Sequence, residues 1–323
     1  MLQISENSTL IALQEYLNSR DWLLKNEEVV QISKAGEGNM NVVLRVTSNF
    51  RSIIMKQSRP YVQKYQDIPA PLERIAVENT FYTAIQNKTI NPHLPNIIGF
   101  DAKTNILVME DLGDCDDMSF IYKQKKIGDE QFKTLIKISH QIHSTKPPSN
   151  FPDNIEMRKL NHQHIFILPF LLENGFSLDA IQPGLQELSL AYKNNDVLIN
   201  KVIHIGEKYL SKGDTLLHGD YYPGSWMSKN DHIYIIDPEF GFVGFKEFDL
   251  GVMAAHLIIA THNLSYIDKI ENSYPAEIDT QLLKNIAGIE IMRRLIGLAQ
   301  LPINRTLKEK EGLLTMAKDL ILL

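Results

Sequence analysis

The segment HGDYYPGSW, residues 218–226, and the two carboxylates that follow it could carry out acid–base and metal chemistry. Glycine and proline favour a loop in this segment, and on a fixed loop Asp220 could accept or orient the proton of a hydroxyl group. Asp237 comes directly after the apolar stretch HIYII, and Glu239 follows after one proline. Carboxylate oxygens are ligands that Mg²⁺ prefers. Each carboxylate alone could be a solvated turn residue, but their combination favours a magnesium-dependent site.

A second group of candidate residues lies in the first third of the chain. The segment GEGNMN, residues 36–41, lies between two predicted strands, and its backbone amides could approach phosphate oxygens. Lys56 belongs to the next strand-like segment, where its ammonium group could hold phosphate, and Glu78 on the following predicted helix could pair with it. An exposed lysine and an exposed glutamate are the alternative. The candidates in the glycine-containing loop are Gly36, Gly38, Asn39 and Asn41.

Two further segments offer contacts to a nucleotide. The segment VMEDL, residues 108–112, ends a predicted strand where we expect one lobe of the protein to end. Backbone groups near Met109, Glu110 and Asp111 would be placed there to meet the edge of an adenine ring. Ser225 carries a hydroxyl, which is an oxygen donor, so it could add a neutral, secondary contact or none.

Composition excludes several classes of protein. The chain has 323 residues, a formal net charge of −6 and 44% hydrophobic residues, so it has material for a large core and no basic surface for nucleic acid or anionic membranes. Its single cysteine, Cys115, cannot form an internal disulfide, which fits a reducing compartment. The N-terminal sequence lacks a signal-peptide pattern, and the longest apolar run is too short to span a bilayer. These features predict a cytoplasmic protein.

Local patterns predict two regions of different structure. Residues 1–112 contain short β-branched segments separated by turns, which predict antiparallel strands. Apolar residues at helical spacing predict one helix at residues 8–18 and another in the segment PAPLERIAVENTFYTAI. From residue 113 to residue 323, a spacing of three to four between apolar residues predicts helices, including one long periodic segment at 185–210, with one inserted strand pair near residues 224–237. The expected fold is α+β and bilobal. A small antiparallel-sheet lobe (1–112) would bind a nucleotide, and a mostly helical lobe (113–323) would carry catalysis and substrate binding.

The loop, the acidic pair and the two-region layout together resemble those of a known family. The segments HGDYYPGS, IIDPEFGFVG, KQSRPYVQKY and MRRLIGLA make the chain similar to the aminoglycoside phosphotransferase-like kinases, and within them to the methylthioribose kinases. The resemblance extends from about residue 30 to residue 301. It implies a protein-kinase-like fold, ATP and Mg²⁺ as cofactors, and transfer of the γ-phosphate to the 1-hydroxyl of 5-methylthioribose in methionine salvage. A homodimer is expected by the same analogy.

The resemblance also implies roles for individual residues. Asp220 would be the catalytic base, Asp237 with Glu239 would hold the metal, and Lys56 would contact the phosphates of ATP. Arg293 and Arg294 would lie at the substrate and the transferring phosphate, and Asp249 would brace the catalytic loop.

Departures from the family pattern leave other functions open. Ser225 stands where many related kinases have an asparagine that binds magnesium, and Tyr221 and Tyr222 would alter the wall beside Asp220. The acceptor could therefore be an aminoglycoside, an amino alcohol or another sugar. An aminoglycoside site would need several acidic residues for its polycation, so the arginine pair favours a neutral sugar. A nucleotide-binding module without turnover is the alternative from a different class.

Overall fold

The structure, a computed structural model, describes residues 2–36 and 40–323. The chain forms two compact units. The first comprises Met1–Cys115 and the short segment Tyr234–Phe240, and the second comprises Asp116–Ile233 and Gly241–Leu323. The carboxylates Asp237 and Glu239 therefore belong to the first unit, although most of the chain around them belongs to the second.

A five-stranded antiparallel sheet forms the first unit, with its strands in the order β1-β2-β3-β7-β6. The helices and strands of this unit are α1 (Leu10–Ser19), β1 (Val29–Lys34), β2 (Val42–Ser48), β3 (Ser52–Gln57), β4 (Tyr61–Val62), β5 (Tyr65–Pro69), α2 (Arg74–Ile85), β6 (Ile97–Asp101) and β7 (Ile106–Glu110). Strands β4 and β5 pair with each other in a separate sheet. Strand β3 lies in the middle of the sheet, where Lys56 is opposite Val43 on one side and Leu107 on the other. This central register fixes the Lys56 backbone by hydrogen bonding on both sides.

Helix α1 covers one face of this sheet. Its Thr9 side chain caps the N-terminus by accepting a hydrogen bond from the Ala12 backbone N–H. Leu13 and Leu17, one helical turn apart, are fully buried and pack with apolar residues of β1, β2, β3 and β7. The predicted combination of an antiparallel sheet with one internal helix, α2, is confirmed, and α1 adds a second helix at the N-terminus as its sequence pattern indicates.

The second unit is mainly helical, as predicted. Its helices are α3 (Phe120–Gln124), α4 (Asp129–His143), α5 (Ile155–His162), α6 (Leu185–Lys193), α7 (Asp196–Leu210), α8 (Glu247–Thr261), α9 (Tyr266–Ser273), α10 (Thr280–Ile296) and α11 (Leu307–Leu322). The periodic segment at 185–210 forms two helices, α6 and α7. Asn195 separates them, because its side chain accepts from the Leu198 backbone N–H and so caps a new helix.

Short strands and single helical turns complete the structure. The strands are β8 (Asp116–Asp117), β9 (Thr215–Leu217), β10 (Trp226–Lys229), β11 (His232–Ile235) and β12 (Phe242–Gly244). The single turns are Asn91–His93, Leu168–Phe170, Leu178–Ala180, Pro223–Ser225 and Pro238–Phe240 in 3₁₀ geometry and Gln163–Ile167 in π geometry. Strand β9 pairs with β12, with Leu217 opposite Phe242. This pairing holds the chain immediately before His218. Among the described residues, none of the helices has the length and apolar character needed to span a membrane.

Helices α8, α10 and α11 pack closely in the core of the second unit. All residues of α8 from Glu247 to Ala260 are buried, as expected for a helix that is apolar on most sides. Gly288 on α10 allows the close approach of α11, because a Cβ atom at this position would lie 2.5 Å from the backbone carbonyl oxygen of Ala317. The position of α10 is thus fixed by packing against backbone.

We expect Gly288→Ala to destabilise the protein, although alanine is the better helix former. The new methyl group would force α10 and α11 apart, and such overpacking costs about 1–3 kcal/mol, more than the roughly 1 kcal/mol gained from helix propensity. Urea unfolding followed by circular dichroism measures the change. Gly312→Ala on α11 is the matched control, because its nearest neighbour is the end of the His262 side chain, which can move. A Gly288→Ala variant as stable as the wild type would show that α10 and α11 can separate freely.

Candidate active site

Lys56 forms the centre of a buried charge cluster in the first unit. Its ammonium nitrogen donates to Oε1 of Glu78 on α2 at 2.7 Å and also contacts Oδ1 of Asp237. Both Lys56 and Glu78 are buried, whereas the side chain of Asp237 is 43% exposed. Burial alone would lower the pKa of Lys56, but the carboxylates of Asp237 and Glu78 raise it well above its ordinary value. Lys56 is therefore a fixed positive charge on the central strand.

The other predicted metal ligand, Glu239, lies in a different environment. It is buried, and its Oε2 accepts from the Asn41 amide at 2.9 Å and lies 3.2 Å from Nε of Arg74. Arg74 also donates from Nε to Oδ1 of Asn41 at 3.0 Å, so the three side chains form a closed triangle. Burial raises the pKa of Glu239 to about 8, against the opposing effect of the Arg74 charge. In this arrangement the Glu239 carboxylate is bound by the side chains of Asn41 and Arg74.

Sequence reasoning missed Arg74, which joins several segments of the first unit. Its side chain is fully buried, and its terminal nitrogens donate to the backbone carbonyls of Arg59, Pro71 and Met40. A sequence signal exists: arginine at the first residue of a helix is unfavourable next to the positive end of the helix dipole. Its presence there indicates that the side chain has a specific partner.

The carboxylates of Asp237 and Glu239 fit a Mg²⁺ ion that takes most of its ligands from phosphate and water. Among residues 2–36 and 40–323, no group of three or more His, Cys, Asp or Glu side chains is arranged to enclose a metal ion. Magnesium in kinases is held by one or two carboxylates, with phosphate oxygens and water completing its shell. Asp237 meets this requirement because its carboxylate is half-exposed. Its backbone has a φ of 63°, a left-handed conformation that aspartate tolerates better than most residues.

The residues predicted to contact the rest of the nucleotide have mixed environments. Met109 is buried in β7, Glu110 accepts from the Asn96 amide at 2.6 Å, and Asp111 forms a two-pronged salt bridge with Arg45. The side chains of Glu110 and Asp111 therefore fix the end of β7, and their predicted contact with adenine would involve the backbone.

The loop between β1 and β2 is described only in part. Gly36 has a φ of 94°, which favours glycine, and the side chain of Asn41 belongs to the triangle with Arg74 and Glu239. Gly38 and Asn39 lie outside the described residues. The predicted contact between this loop and phosphate remains a prediction.

In the second unit, Asp249 holds the loop that begins at His218. Its two carboxylate oxygens accept from the backbone N–H groups of His218 at 2.7 Å and Gly219 at 2.9 Å, and one of them also contacts Nε2 of His143 at 3.2 Å. Gly219 has a φ of 81°, a conformation that glycine adopts without strain. This geometry supports the bracing role expected for Asp249.

Asp220 lies beside the arginine pair of α10. Its side chain is 23% exposed, and its Oδ1 lies 3.7 Å from Nη2 of Arg294. Burial raises the pKa of Asp220, while the charges of Arg294 and Arg293 oppose the shift. The carboxylate is thus within the field of a guanidinium group without forming a close hydrogen bond with it, and the rise in pKa makes it a better base than an exposed aspartate.

The two arginines are joined by a residue that sequence reasoning missed. Glu290 accepts from Nη1 of Arg293 at 2.9 Å and from Nε of Arg294 at 2.6 Å. The signal is present in the sequence, because a glutamate three and four residues before two arginines lies on the same helical face. Its importance becomes visible only with the burial of Glu290 and Arg294.

Tyr221, Tyr222 and Ser225 occupy different environments. Tyr221 is fully buried, donates to the Leu135 backbone carbonyl at 2.8 Å and packs against Trp226, so the expectation that it lines a wall beside Asp220 is wrong. Tyr222 does lie close to this region, because the Arg294 guanidinium is 4.8 Å from the centre of its ring. Ser225 is 2% exposed at the end of the turn Pro223–Ser225, and its backbone N–H donates to the Tyr222 carbonyl.

Comparison with known sequences supports the predicted resemblance. No family model matches the chain. Methylthioribose kinase 1 of Oryza sativa subsp. japonica is 28% identical over 249 residues, which cover 72% of this chain and 57% of the rice protein. Methylthioribose kinase of Exiguobacterium sibiricum is 27% identical over 80% of this chain and 68% of its own length. A Geobacillus methylthioribose kinase is 26% identical, with 85% and 80% covered. The match thus spans less than two thirds of the rice protein.

Comparison with solved structures identifies the fold. Spectinomycin phosphotransferase, in complex with ADP and spectinomycin, aligns over 98% of both chains with a TM-score of 0.56 and 14% identity. A choline kinase from Streptococcus pneumoniae aligns over 96% of this chain and 98% of its own, with a TM-score of 0.53 and 14% identity. The predicted α+β, kinase-like fold class is confirmed. The chain has the fold of these small-molecule kinases, and its sequence is similar to those of methylthioribose kinases from plants and bacteria.

Proposed function

We propose that this protein is an ATP-dependent kinase that phosphorylates the 1-hydroxyl of 5-methylthioribose. One observation carries the proposal: Lys56 on the third strand, paired with Glu78 on the next helix and in contact with Asp237. Kinases need this lysine–glutamate pair and a metal-binding aspartate to hold the phosphates of ATP. The relatives named methylthioribose kinase support the choice of acceptor.

In this proposal the first unit binds the nucleotide and the metal. The ammonium group of Lys56, oriented by Glu78, binds phosphate oxygens. Asp237 would hold Mg²⁺ directly, and Glu239 would support it from the triangle with Arg74. When bound, the ion would neutralise charge that develops on the transferring phosphoryl group.

The second unit acts on the acceptor. Asp220, held in place by Asp249, takes the proton of the acceptor hydroxyl as that oxygen forms a bond to the γ-phosphorus and the bond to the leaving ADP oxygen breaks. The guanidinium groups of Arg293 and Arg294 offer donors to phosphate oxygens. They also disfavour a polycationic acceptor such as an aminoglycoside. The family resemblance further supports a cytoplasmic homodimer, which sedimentation of the 36.9 kDa chain would detect.

We expect the purified protein to release ADP from ATP and Mg²⁺ only with methylthioribose, in a panel that also contains ribose, choline, homoserine and kanamycin. Asp220→Asn should lower kcat about 10²–10⁴-fold, because it removes the base, while the Kd for ATP stays unchanged. Coupled spectrophotometry measures ADP release and calorimetry measures ATP binding. Turnover of another acceptor would leave the kinase assignment in place and refute the substrate. ATP binding without turnover of any acceptor would favour a nucleotide-binding module.

We expect Asp237→Asn to raise the Mg²⁺ concentration needed for half-maximal rate by at least about 10-fold, because an amide is a weaker ligand than a carboxylate. Ser225→Ala should leave that concentration within about twofold, since Ser225 is buried at the end of its turn. Magnesium titration at saturating ATP and acceptor compares the two variants. A large effect of Ser225→Ala together with a small effect of Asp237→Asn would reverse our assignment of the metal ligand.

A further inference from the structure

Glu290 on α10 has an unusual concentration of donors around a buried carboxylate. It is 1% exposed, and its Oε1 accepts from Nε of Arg294 at 2.6 Å, from Nη1 of Arg293 at 3.1 Å and lies 3.2 Å from Nε2 of His256. Its Oε2 accepts from Arg293 at 2.9 Å. A buried carboxylate persists only when such partners compensate for the lost water.

The protonation states within this cluster follow from its geometry. Burial lowers the pKa of His256 to about 4, so the ring is neutral at physiological pH. Its Nδ1 lies 2.5 Å from the Tyr122 hydroxyl, which can donate to it, so the ring proton is on Nε2 and points to Glu290. Although burial opposes ionisation, Arg293 and Arg294 hold the pKa of Glu290 well below its usual range. Glu290 therefore carries a full negative charge.

Arg294 lies between two carboxylates but is bonded closely to only one. Its Nε is 2.6 Å from Glu290, whereas its Nη2 is 3.7 Å from Asp220. A charge-assisted hydrogen bond would bring nitrogen and oxygen to about 2.7–2.9 Å, so the contact with Asp220 is incomplete. The guanidinium carbon lies over the Tyr222 ring, 4.8 Å from its centre. Glu290 and Tyr222 thus fix Arg294 from two directions.

We propose that Glu290 is a positioning residue that competes with Asp220 for Arg294 and so keeps the Asp220 carboxylate available to accept a proton from the acceptor. A guanidinium released from Glu290 would pair with Asp220 through two parallel hydrogen bonds, the preferred geometry of arginine with a carboxylate. That pairing would make Asp220 a weaker base and would also withdraw Arg294 from the transferring phosphate. The inference deepens the proposed function and rests on it.

Glu290→Gln tests this inference, because it removes the charge and keeps the shape of the side chain. We expect kcat with saturating methylthioribose to fall about 100-fold, a loss typical of a catalytic group displaced by about 1 Å. The KM for ATP should stay within about twofold, because the proposed contacts of Lys56 and Asp237 with ATP and Mg²⁺ do not involve Glu290. A crystal structure of the variant should show the separation of Arg294 Nη2 and Asp220 Oδ1 shortened from 3.7 Å to about 2.8 Å.

Glu247→Gln is the matched control, because Glu247 is also a buried glutamate on a core helix and accepts from the Asp279 backbone N–H. It should keep wild-type kcat at an equal loss of thermal stability. In the Glu290→Gln, Asp220→Asn double variant, kcat should be no lower than in Asp220→Asn alone, since Glu290 acts through Asp220. A multiplicative loss in the double variant, or an equal loss of kcat in Glu247→Gln, would refute the positioning role.

Two outcomes keep this inference separable from the proposed function. If the wild type phosphorylates no acceptor in the panel, the proposed function fails, and the separation of Arg294 and Asp220 in the crystal structure of the variant still tests the positioning. An unchanged separation would overturn it. If Glu290→Gln does not fold, Glu290→Asp keeps the charge but shortens the reach to Arg294, and wild-type kcat in that variant would likewise overturn the inference.

Discussion

The need to pair the buried charges of Lys56, Arg74 and Glu290 determines most of what surrounds the functional groups. Removing a charged side chain from water costs several kcal/mol unless an opposite charge and good hydrogen bonds compensate. In the first unit, Glu78 and Asp237 form ion pairs with Lys56, and Glu239 forms one with Arg74. In the second unit, Glu290 forms ion pairs with Arg293 and Arg294. Each pair fixes the direction of a side chain.

The two carboxylates of the segment DPE differ in a way that the pairing explains. Asp237 is half-exposed and reaches Lys56, whereas Glu239 is buried against Arg74 and Asn41. A ligand for an exchangeable ion needs access to water and phosphate, and a group that shapes the segment needs burial and fixed partners. The same short turn thus places one carboxylate for each task.

The sequence predicted those features that depend on local pattern. Strand and helix periodicity placed Lys56 and Glu78 on neighbouring elements, and the glycine at 219 marked the loop of Asp220. The role of Arg74 escaped prediction because its partners Asn41 and Glu239 are far from it in the chain. The role of Glu290 escaped prediction because composition does not reveal that its side chain is buried. Tyr221 was misplaced for the same reason: alternation alone did not show which of two adjacent rings enters the core.

The triangle of Asn41, Arg74 and Glu239 also constrains how this sequence can change. Each member satisfies the hydrogen-bonding groups of the other two, and all three are buried. A change at one position removes a partner from each of two buried polar groups, which costs more than the loss of one hydrogen bond. Lysine cannot replace Arg74, because its single ammonium nitrogen cannot reach the six oxygens that the guanidinium contacts. Positions 41, 74 and 239 should therefore covary among homologous sequences, although they are distant in the chain.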